Sequence, residues 1–245
     1  MDEIVKSNWY EDDQFANQYT QPFQKEQIEK RWELFASMIQ GEAWDKKDLR
    51  VLDLGCGDGI NILGLKNILS RLGYSHSITA VDFNESRLEK IRMRFPDVRT
   101  RRFDLVHDVW DERFDLILFN HVLEHIPEDT TALKNLGALL EKEGMVILGV
   151  PNEGCAIAYM RNHLFQRKIL KYTDHLHFYT LSTLRPMLET AGWDVLQVER
   201  EGFFMPHCRL TDTLKRFRKG REVLGFLGRL FPSQSAGLVL KLIRR

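Results

Sequence analysis

Val51-Leu52-Asp53-Leu54-Gly55-Cys56-Gly57-Asp58-Gly59 is an apolar strand that runs into a glycine-rich turn. The next residues, INILGLKNILSRLG (60–73), read as a helix that stops at a glycine. Gly55 and Gly57 permit backbone geometries and a close ligand approach that a Cβ would block. In an open α/β sheet such a turn, at the carboxyl end of a strand beside the topological switch point, is where ligands bind. The spacing departs from the dinucleotide fingerprint G-x-G-x-x-G, because Ile60 holds the third glycine's place. Two carboxylates in or before the turn, Asp53 and Asp58, suit a cationic or hydroxyl-bearing ligand better than a pyrophosphate. Asp82 closes the second strand, where a carboxylate can accept both hydrogen bonds of a ribose diol. Phe83 is placed to pack on an adenine face, and Asp104, after the third strand, to accept from its amine.

Outward from the turn, strands and helices alternate. Strands are expected at 49–54, 77–82, 98–103, 114–119 and 144–150. Helices are expected at 60–73, 85–94 and 128–141, after an N-terminal helix over 22–40 begun by Pro22. Near-continuous apolar strands indicate a sheet covered on both faces. The alternation predicts a parallel, doubly wound α/β sheet. Beyond it come a helix at 181–191 with Pro186 near its first turn, and strands at 194–204 and 237–243. The chain reads as one domain, 1–245. It carries an N-terminal helical cap (1–48), an irregular segment (152–177) and a basic amphipathic insertion (207–232).

Composition narrows the function. Lys plus Arg and Asp plus Glu number 35 each, which excludes a generally basic nucleic-acid coat protein. Cys56, Cys155 and Cys208 are too scattered for a disulfide framework or a CxxC site, as in a reducing cytosol. The acidic start MDEIVKSNWYEDD is no secretory signal, and no apolar run reaches the ~20 residues of a membrane helix. The expectation is a cytoplasmic globular protein, with peripheral membrane contact the one variant.

At this point the chain resembles the class I S-adenosylmethionine-dependent methyltransferases, in look closest to small-molecule and sugar O-methyltransferases, including those of ubiquinone biosynthesis. VLDLGCGDG (51–59) resembles the first motif, ITAVDFNESRLE (78–89) the second, FDLILFNHVLEHIPE (114–128) the fourth strand with its loop, and GMVILGVPN (144–152) the fifth strand. The resemblance covers about 49–200. It implies a Rossmann-like three-layer sandwich with a seven-stranded, mostly parallel sheet whose last strand is antiparallel. S-adenosyl-L-methionine is the implied cofactor and S-adenosyl-L-homocysteine the product. It further implies that Asp53, Gly55 and Gly57 meet the methionine part and that Asp82 takes the ribose. Phe83 and Asp104 take the adenine, Asn120 sits beneath the sulfonium, and Cys56 and Leu105 complete the cofactor-binding set.

Methyl transfer needs an aligned nucleophile and a dry site, and a hydroxyl acceptor gains from a base or a metal as well. Asn120 is followed by His121-Val122-Leu123-Glu124-His125. It lacks the Asn-Pro-Pro-Tyr of the nucleic-acid and protein amine methyltransferases, which argues against those. His121-Val122-Leu123-Glu124-His125 instead resembles the small-molecule O-methyltransferases, a resemblance that implies O-methylation. His121, His125 and His175 are the candidate catalytic residues. A structural role for Glu124-His125 and a histidine base without metal are both preferred to a metal site. The metal alternative rests on Glu124, His125 and His175, because small-RNA 2′-O-methyltransferases carry a similar Glu-x-x-Glu-His loop and a distant His before an aromatic-Thr helix start. His121 departs from that loop by standing where it has its first Glu, and hard cations favour oxygen ligands. On an extended segment His175 and His177 face opposite ways. The resemblance favours His175 for the pocket and leaves His177 structural.

Specificity should come from the added segments. Trp9, Tyr10, Phe15, Tyr19 and Phe23 could form an aromatic lid or pack on the sheet. Tyr159, Arg161, His163, Phe165, Arg167 and Tyr172 should overhang the acceptor. Leu210, Leu214, Phe217, Leu224, Leu227 and Phe231 fall near one helical face beside a basic cluster, though glycines make a single long helix improbable. The expected acceptor is a small molecule, sugar or glycan, polar or anionic. Membrane contact and homodimerisation through 207–232 are both open. The competing readings are an RNA 2′-O-methyltransferase, against which the neutral charge argues, and a non-catalytic binding module of the same fold.

Overall fold

The computed structural model describes Phe15, residues 22–40, Glu42, Trp44, and residues 46–167 and 174–245. Of the expected aromatic segments, Trp9, Tyr10, Tyr19, Tyr172 and the side chain of Phe23 lie outside the described residues.

Helix α1 (Pro22–Gln40) leads into β1 (Asp48–Leu54), α2 (Ile60–Arg71), β2 (Ser75–Asp82), α3 (Glu85–Arg94), β3 (Arg99–Arg102) and β4 (Phe114–Asn120). After a 3-10 turn at Leu123–His125 come α4 (Asp129–Leu136), β5 (Leu140–Pro151) and α5 (Ala156–Met160), which continues as a π turn over Arg161–Phe165. Then follow α6 (Leu181–Thr190), β6 (Trp193–Glu201), α7 (Cys208–Arg216), α8 (Arg218–Leu230) and β7 (Gly237–Arg244). The seven strands form one sheet in the order β3-β2-β1-β4-β5-β7-β6. Strand β7 is inserted antiparallel to both of its neighbours, as the resemblance implied. The order reverses between β1 and β4, so a crevice opens at their carboxyl ends.

Alternating residues of each strand serve opposite cores. On one face Val51, Leu116 and Leu118 pack with Trp32 and Phe35 of α1, Leu65 and Leu69 of α2, and Leu88 and Ile91 of α3. On the other, Leu52, Ile117 and Phe119 pack with Leu133 and Leu136 of α4 and Leu184 and Leu188 of α6. Each such buried side chain contributes ~1.5–3 kcal/mol. Helix α1 is thus a wall of the first core rather than only a cap. Phe15, a lid candidate, lies edge-on to Phe95 at 6.1 Å, with the Arg94 guanidinium over its ring. Among the described residues no helix is long and apolar enough to cross a membrane.

Several expected boundaries shift. The helix expected over 128–141 ends at Leu136; a 3-10 turn follows at Gly137–Leu139, and Leu140 already pairs with Phe114 in the sheet. Pro186 is the sixth residue of α6, not part of its first turn. The missing amide costs one helical hydrogen bond there, while Thr180 anchors the start of the helix through a capping box with Thr183. The segment expected to be irregular holds α5 and its π turn. The amphipathic insertion is two helices broken at Phe217, whose φ −106 and ψ 139 are extended. Gly220 lets α8 abut the end of α7, since a Cβ there would stand 2.1 Å from the Leu214 carbonyl oxygen.

Candidate active site

The carboxyl end of β1 turns sharply because Gly55 takes φ +73. Gly55 is also a point of closest approach. A Cβ on it would stand 2.3 Å from Cγ2 of Val122, in the loop after β4. The Gly55 and Cys56 amides both donate to the Val81 carbonyl, at 2.8 and 2.9 Å, which ties the turn to β2. The Gly57 amide donates to Oδ2 of Asp82 at 3.0 Å, and the Asn84 amide to Oδ1 at 2.9 Å. Both oxygens are fixed and each retains a lone pair. Burial raises the Asp82 pKa, against those two amides and Arg87.

Asp53 lies under the turn and is buried, and its Oδ2 has no hydrogen-bond partner among the described residues. Burial and the charge of Asp82 push its pKa up to about 7. An uncompensated buried carboxylate is costly and fits a site that receives a cation. Asn120, at the end of β4, is also buried with an unpartnered Oδ1. It fits there because β5 offers Gly149, where a Cβ would stand 2.0 Å from that oxygen.

Phe83 stands exposed beyond β2, and Leu105 is buried with its carbonyl accepting from Asn135 Nδ2 at 2.9 Å. Asp104 is more committed than the sequence implies. Its Oδ1 accepts from the Val106 and His107 amides at 2.9 and 3.3 Å, and its Oδ2 lies 3.1 Å from His107 Nδ1. Asp58 is buried, with Oδ1 3.9 Å from Lys90 Nζ.

Beyond Asn120 the chain bends through His121, whose φ of 56 is left-handed. The His121 amide donates to the Gly149 carbonyl at 2.8 Å, and Nδ1 lies 3.3 Å from Glu124 Oε1. Nε2 faces Glu201 Oε1 at 3.8 Å. Glu201 in turn receives a bidentate fork from Arg31 of α1, at 2.5–3.0 Å. Burial and Arg31 lower the His121 pKa, but the two carboxylates more than offset them and the net direction is up. With both nitrogens facing carboxylates, His121 is poorly placed as a base.

Glu124 is fully buried. Burial raises its pKa, but the hydrogen bond and charge of His121 prevail and hold it below the usual range. Its Oε2 is unpartnered. The Glu124 carbonyl accepts from the Leu176 and His177 amides at 2.8 and 3.2 Å, and this draws the 174–177 segment alongside. Glu124, His125 and His175 thereby present ligand atoms all within 4.8 Å of one another. His125 Nδ1 lies 3.1 Å from the Asp174 carbonyl, and His175 Nδ1 2.5 Å from Glu153 Oε2. Each ring therefore has its Nδ1 anchored and Nε2 as the remaining nitrogen. Burial, with His175 beside it, lowers the His125 pKa and favours the neutral ring. His177 points elsewhere, its Nε2 3.0 Å from the Ile126 carbonyl.

Sequence reasoning missed Glu153, Arg31 and Glu201, and it expected Arg161 to overhang the acceptor, whereas Arg161 is buried against Glu153. Glu153 is buried, with Oε1 accepting from Arg161 at 2.6 Å. Its position just past β5, on the carboxyl edge of the sheet, is the signal that should have marked it.

A family model described as "Methyltransferase domain" matches residues 15–198. The chain belongs to that family. It is a methyltransferase-domain protein, the class for which the motifs imply S-adenosylmethionine as cofactor.

Among curated proteins, the methyltransferase is 29% identical over 160 residues to a ubiquinone biosynthesis O-methyltransferase of Xanthomonas euvesicatoria pv. vesicatoria, covering 61% of this chain and 63% of that one. It is 28% identical over 115 residues to the protein of that name from Glaesserella parasuis, covering 45% and 48%. The matches thus span about half to under two thirds of those relatives' length. Among solved structures, an S-adenosylmethionine-dependent methyltransferase from Mesorhizobium loti has a TM-score of 0.58 at 19% identity, covering 89% of this chain and all of that one. The N-methyltransferase NodS from Bradyrhizobium japonicum, in complex with S-adenosyl-L-homocysteine, has 0.58 at 14%, covering 96% and 94%. These likenesses establish the fold.

The residues present fit the cofactor. The unpartnered carboxylate of Asp53 complements an ammonium or sulfonium group, and the fixed pair of oxygens on Asp82 complements a diol. The donor set of Glu124, His125 and His175 also fits a divalent ion of borderline hardness, one oxygen with two imidazoles. Their Nδ1 anchors match the outer-shell contacts that orient histidine ligands.

Proposed function

We propose that the methyltransferase modifies a hydroxyl group of a small-molecule, sugar or glycan acceptor, with His125 as the residue that takes its proton. One observation carries this reading. A neutral-favouring imidazole, held by the Asp174 carbonyl, stands on the loop that begins at Asn120, at the carboxyl edge of the sheet. A hydroxyl acceptor requires such a group and a neutral amine does not. The names of the ubiquinone biosynthesis O-methyltransferases support it in kind, though at low identity.

When bound, the cofactor supplies a methyl group already activated on sulfonium. What this chain contributes is placement. Asp53 and Asp82 would seat the cofactor, with Asn120 beside them at the end of β4. The loop of residues 121–125 and the 174–177 segment wall the acceptor side. His125 receives the acceptor proton at Nε2, and His175, oriented by Glu153, stands beside it.

A second reading places a divalent cation on Glu124, His125 and His175. It is favoured by the unpartnered Oε2 of Glu124 and by the two anchored Nδ1 atoms. A metal there would acidify the acceptor hydroxyl in place of a base.

The test is a labelled-methyl transfer screen over hydroxyl and amine acceptors, with and without chelator, on the native protein and His125→Ala. O-methyl products that survive chelation and fall at least ~100-fold in the variant support the base. Activity abolished by chelator and restored by one equivalent of metal selects the second reading. Exclusive N-methylation, independent of His125, contradicts both.

A further inference from the structure

The break at Phe217 changes which residues of the 207–232 insertion face outward. Leu214 is partly covered and Leu224 is buried, so both turn inward. On the outer side of α8, Val223, Phe226 and Leu230 are 48%, 56% and 56% exposed and follow one another at helical spacing. Phe217 and Phe231, at the two ends of the helix, are 64% and 49% exposed. An apolar stripe on a helix that already buries its other side needs explanation.

Its surroundings are predominantly basic. Between 207 and 232 there are seven Lys or Arg against two Asp or Glu, in a chain with zero net charge. Arg218, Lys219 and Arg229 are exposed on α8, and Arg216 is exposed at the end of α7. The acid on this side of α8, Glu222, is paired with Arg218 at 3.0 Å. Exposed aromatic and aliphatic groups ringed by cations complement an anionic lipid surface, where the apolar groups enter the acyl boundary and the cations meet headgroup phosphates.

The stripe does not stand alone. Tyr159, Leu164 and Phe165 of α5 and its π turn are also exposed. That turn is joined to α7 where the Cys208 amide donates to Gln166 Oε1 at 2.7 Å, and α5 to the residues after α8 where the Ile157 amide donates to Gln234 Oε1 at 3.0 Å. All of these segments attach to the carboxyl edge of the parallel strands. Helix α5 follows β5, α7 follows β6, and α8 precedes β7, whose first residue, Gly237, pairs with Pro151.

We infer that the α7–α8 pair is a peripheral docking surface for an anionic phospholipid membrane, with the Val223–Phe226–Leu230 stripe inserted and Lys219 and Arg229 on the headgroups. The surface holds the carboxyl edge of the sheet close to the bilayer. It does not depend on which hydroxyl is methylated.

Sedimentation of the full chain with phosphatidylglycerol-containing vesicles and with pure phosphatidylcholine vesicles tests this. The protein should partition onto the anionic vesicles, at least about tenfold less onto the zwitterionic ones, and less again at high salt. F226D/L230D and K219E/R229E should each lose at least about tenfold in partition while keeping affinity for S-adenosyl-L-homocysteine. Absence of binding to anionic vesicles, binding that ignores salt and charge, or binding undiminished in F226D/L230D would overturn the inference. So would light scattering that finds a dimer which F226D/L230D turns into monomers, because the stripe would then belong to a second copy of this chain.

Discussion

Nδ1 of His175 lies 2.5 Å from Oε2 of Glu153, and the other oxygen of Glu153 takes a hydrogen bond from Arg161 at 2.6 Å. Burial raises the Glu153 pKa, but His175 and Arg161 outweigh it and keep the carboxylate ionised. One buried residue after β5 thus orients the ring of a residue that meets the β4 loop. Glu153→Gln keeps the shape and removes the charge. It should lower kcat about 10- to 100-fold, the usual cost of losing such an outer partner, with affinity for S-adenosyl-L-homocysteine unchanged. A purely structural role would instead lower Tm and leave kcat intact in the folded fraction.

Gly55→Ala meets two penalties. A left-handed φ costs an alanine about 1–2 kcal/mol, and overpacking against Val122 adds about 1–3 kcal/mol. Cofactor affinity and Tm should both fall. Val122→Ala combined with Gly55→Ala should recover the overpacking part and leave the backbone part. A double-mutant cycle on Tm measures the split, and full additivity of the two changes would contradict the contact.

Asp53 makes stability and cofactor binding pH-dependent in opposite directions. Its pKa rises from the ordinary 3.8 to about 7 on folding. Between those values the folded state holds a proton that the unfolded state lacks. The ligand-free protein therefore loses stability as pH rises through this window, by up to about 1.4 kcal/mol per pH unit. Binding of the cationic cofactor requires the carboxylate, so affinity should strengthen as pH rises towards 7, with proton release. Asp53→Asn should flatten both slopes at this site. Melting and calorimetry between pH 5 and 8 check it, and an unchanged slope in the variant would refute it.

The alternating apolar strands and the glycine turn made the sheet legible, because VLDL, ITAVD and FDLILF are buried on both faces and can be little else. The insertion of β7 came from family resemblance rather than from periodicity. Helix α4 was overextended because Leu-Leu-Glu is as good a helix sequence as a strand sequence, and only pairing of Leu140 with Phe114 decides it. The outer stripe of α8 was missed for a related reason. Counting Leu210 to Phe231 at constant helical phase ignores the extended Phe217, which re-phases everything after it. At the site, residues on adjacent motifs were visible: Asp53, Asp82, Asn120 and the histidine loop. The Arg31–Glu201–His121 chain joins α1, β6 and the β4 loop across long stretches of sequence, and no local pattern announces such a contact.

Calorimetric titration with S-adenosyl-L-homocysteine, on the native chain and on Asp82→Ala, tests the central claim most directly. One site should be found in the native protein. The variant should bind at least ~30-fold more weakly, as expected when charge-assisted hydrogen bonds to a buried diol are lost. No heat with the native chain, or equal affinity in the variant, would contradict a cofactor site built on Asp53 and Asp82.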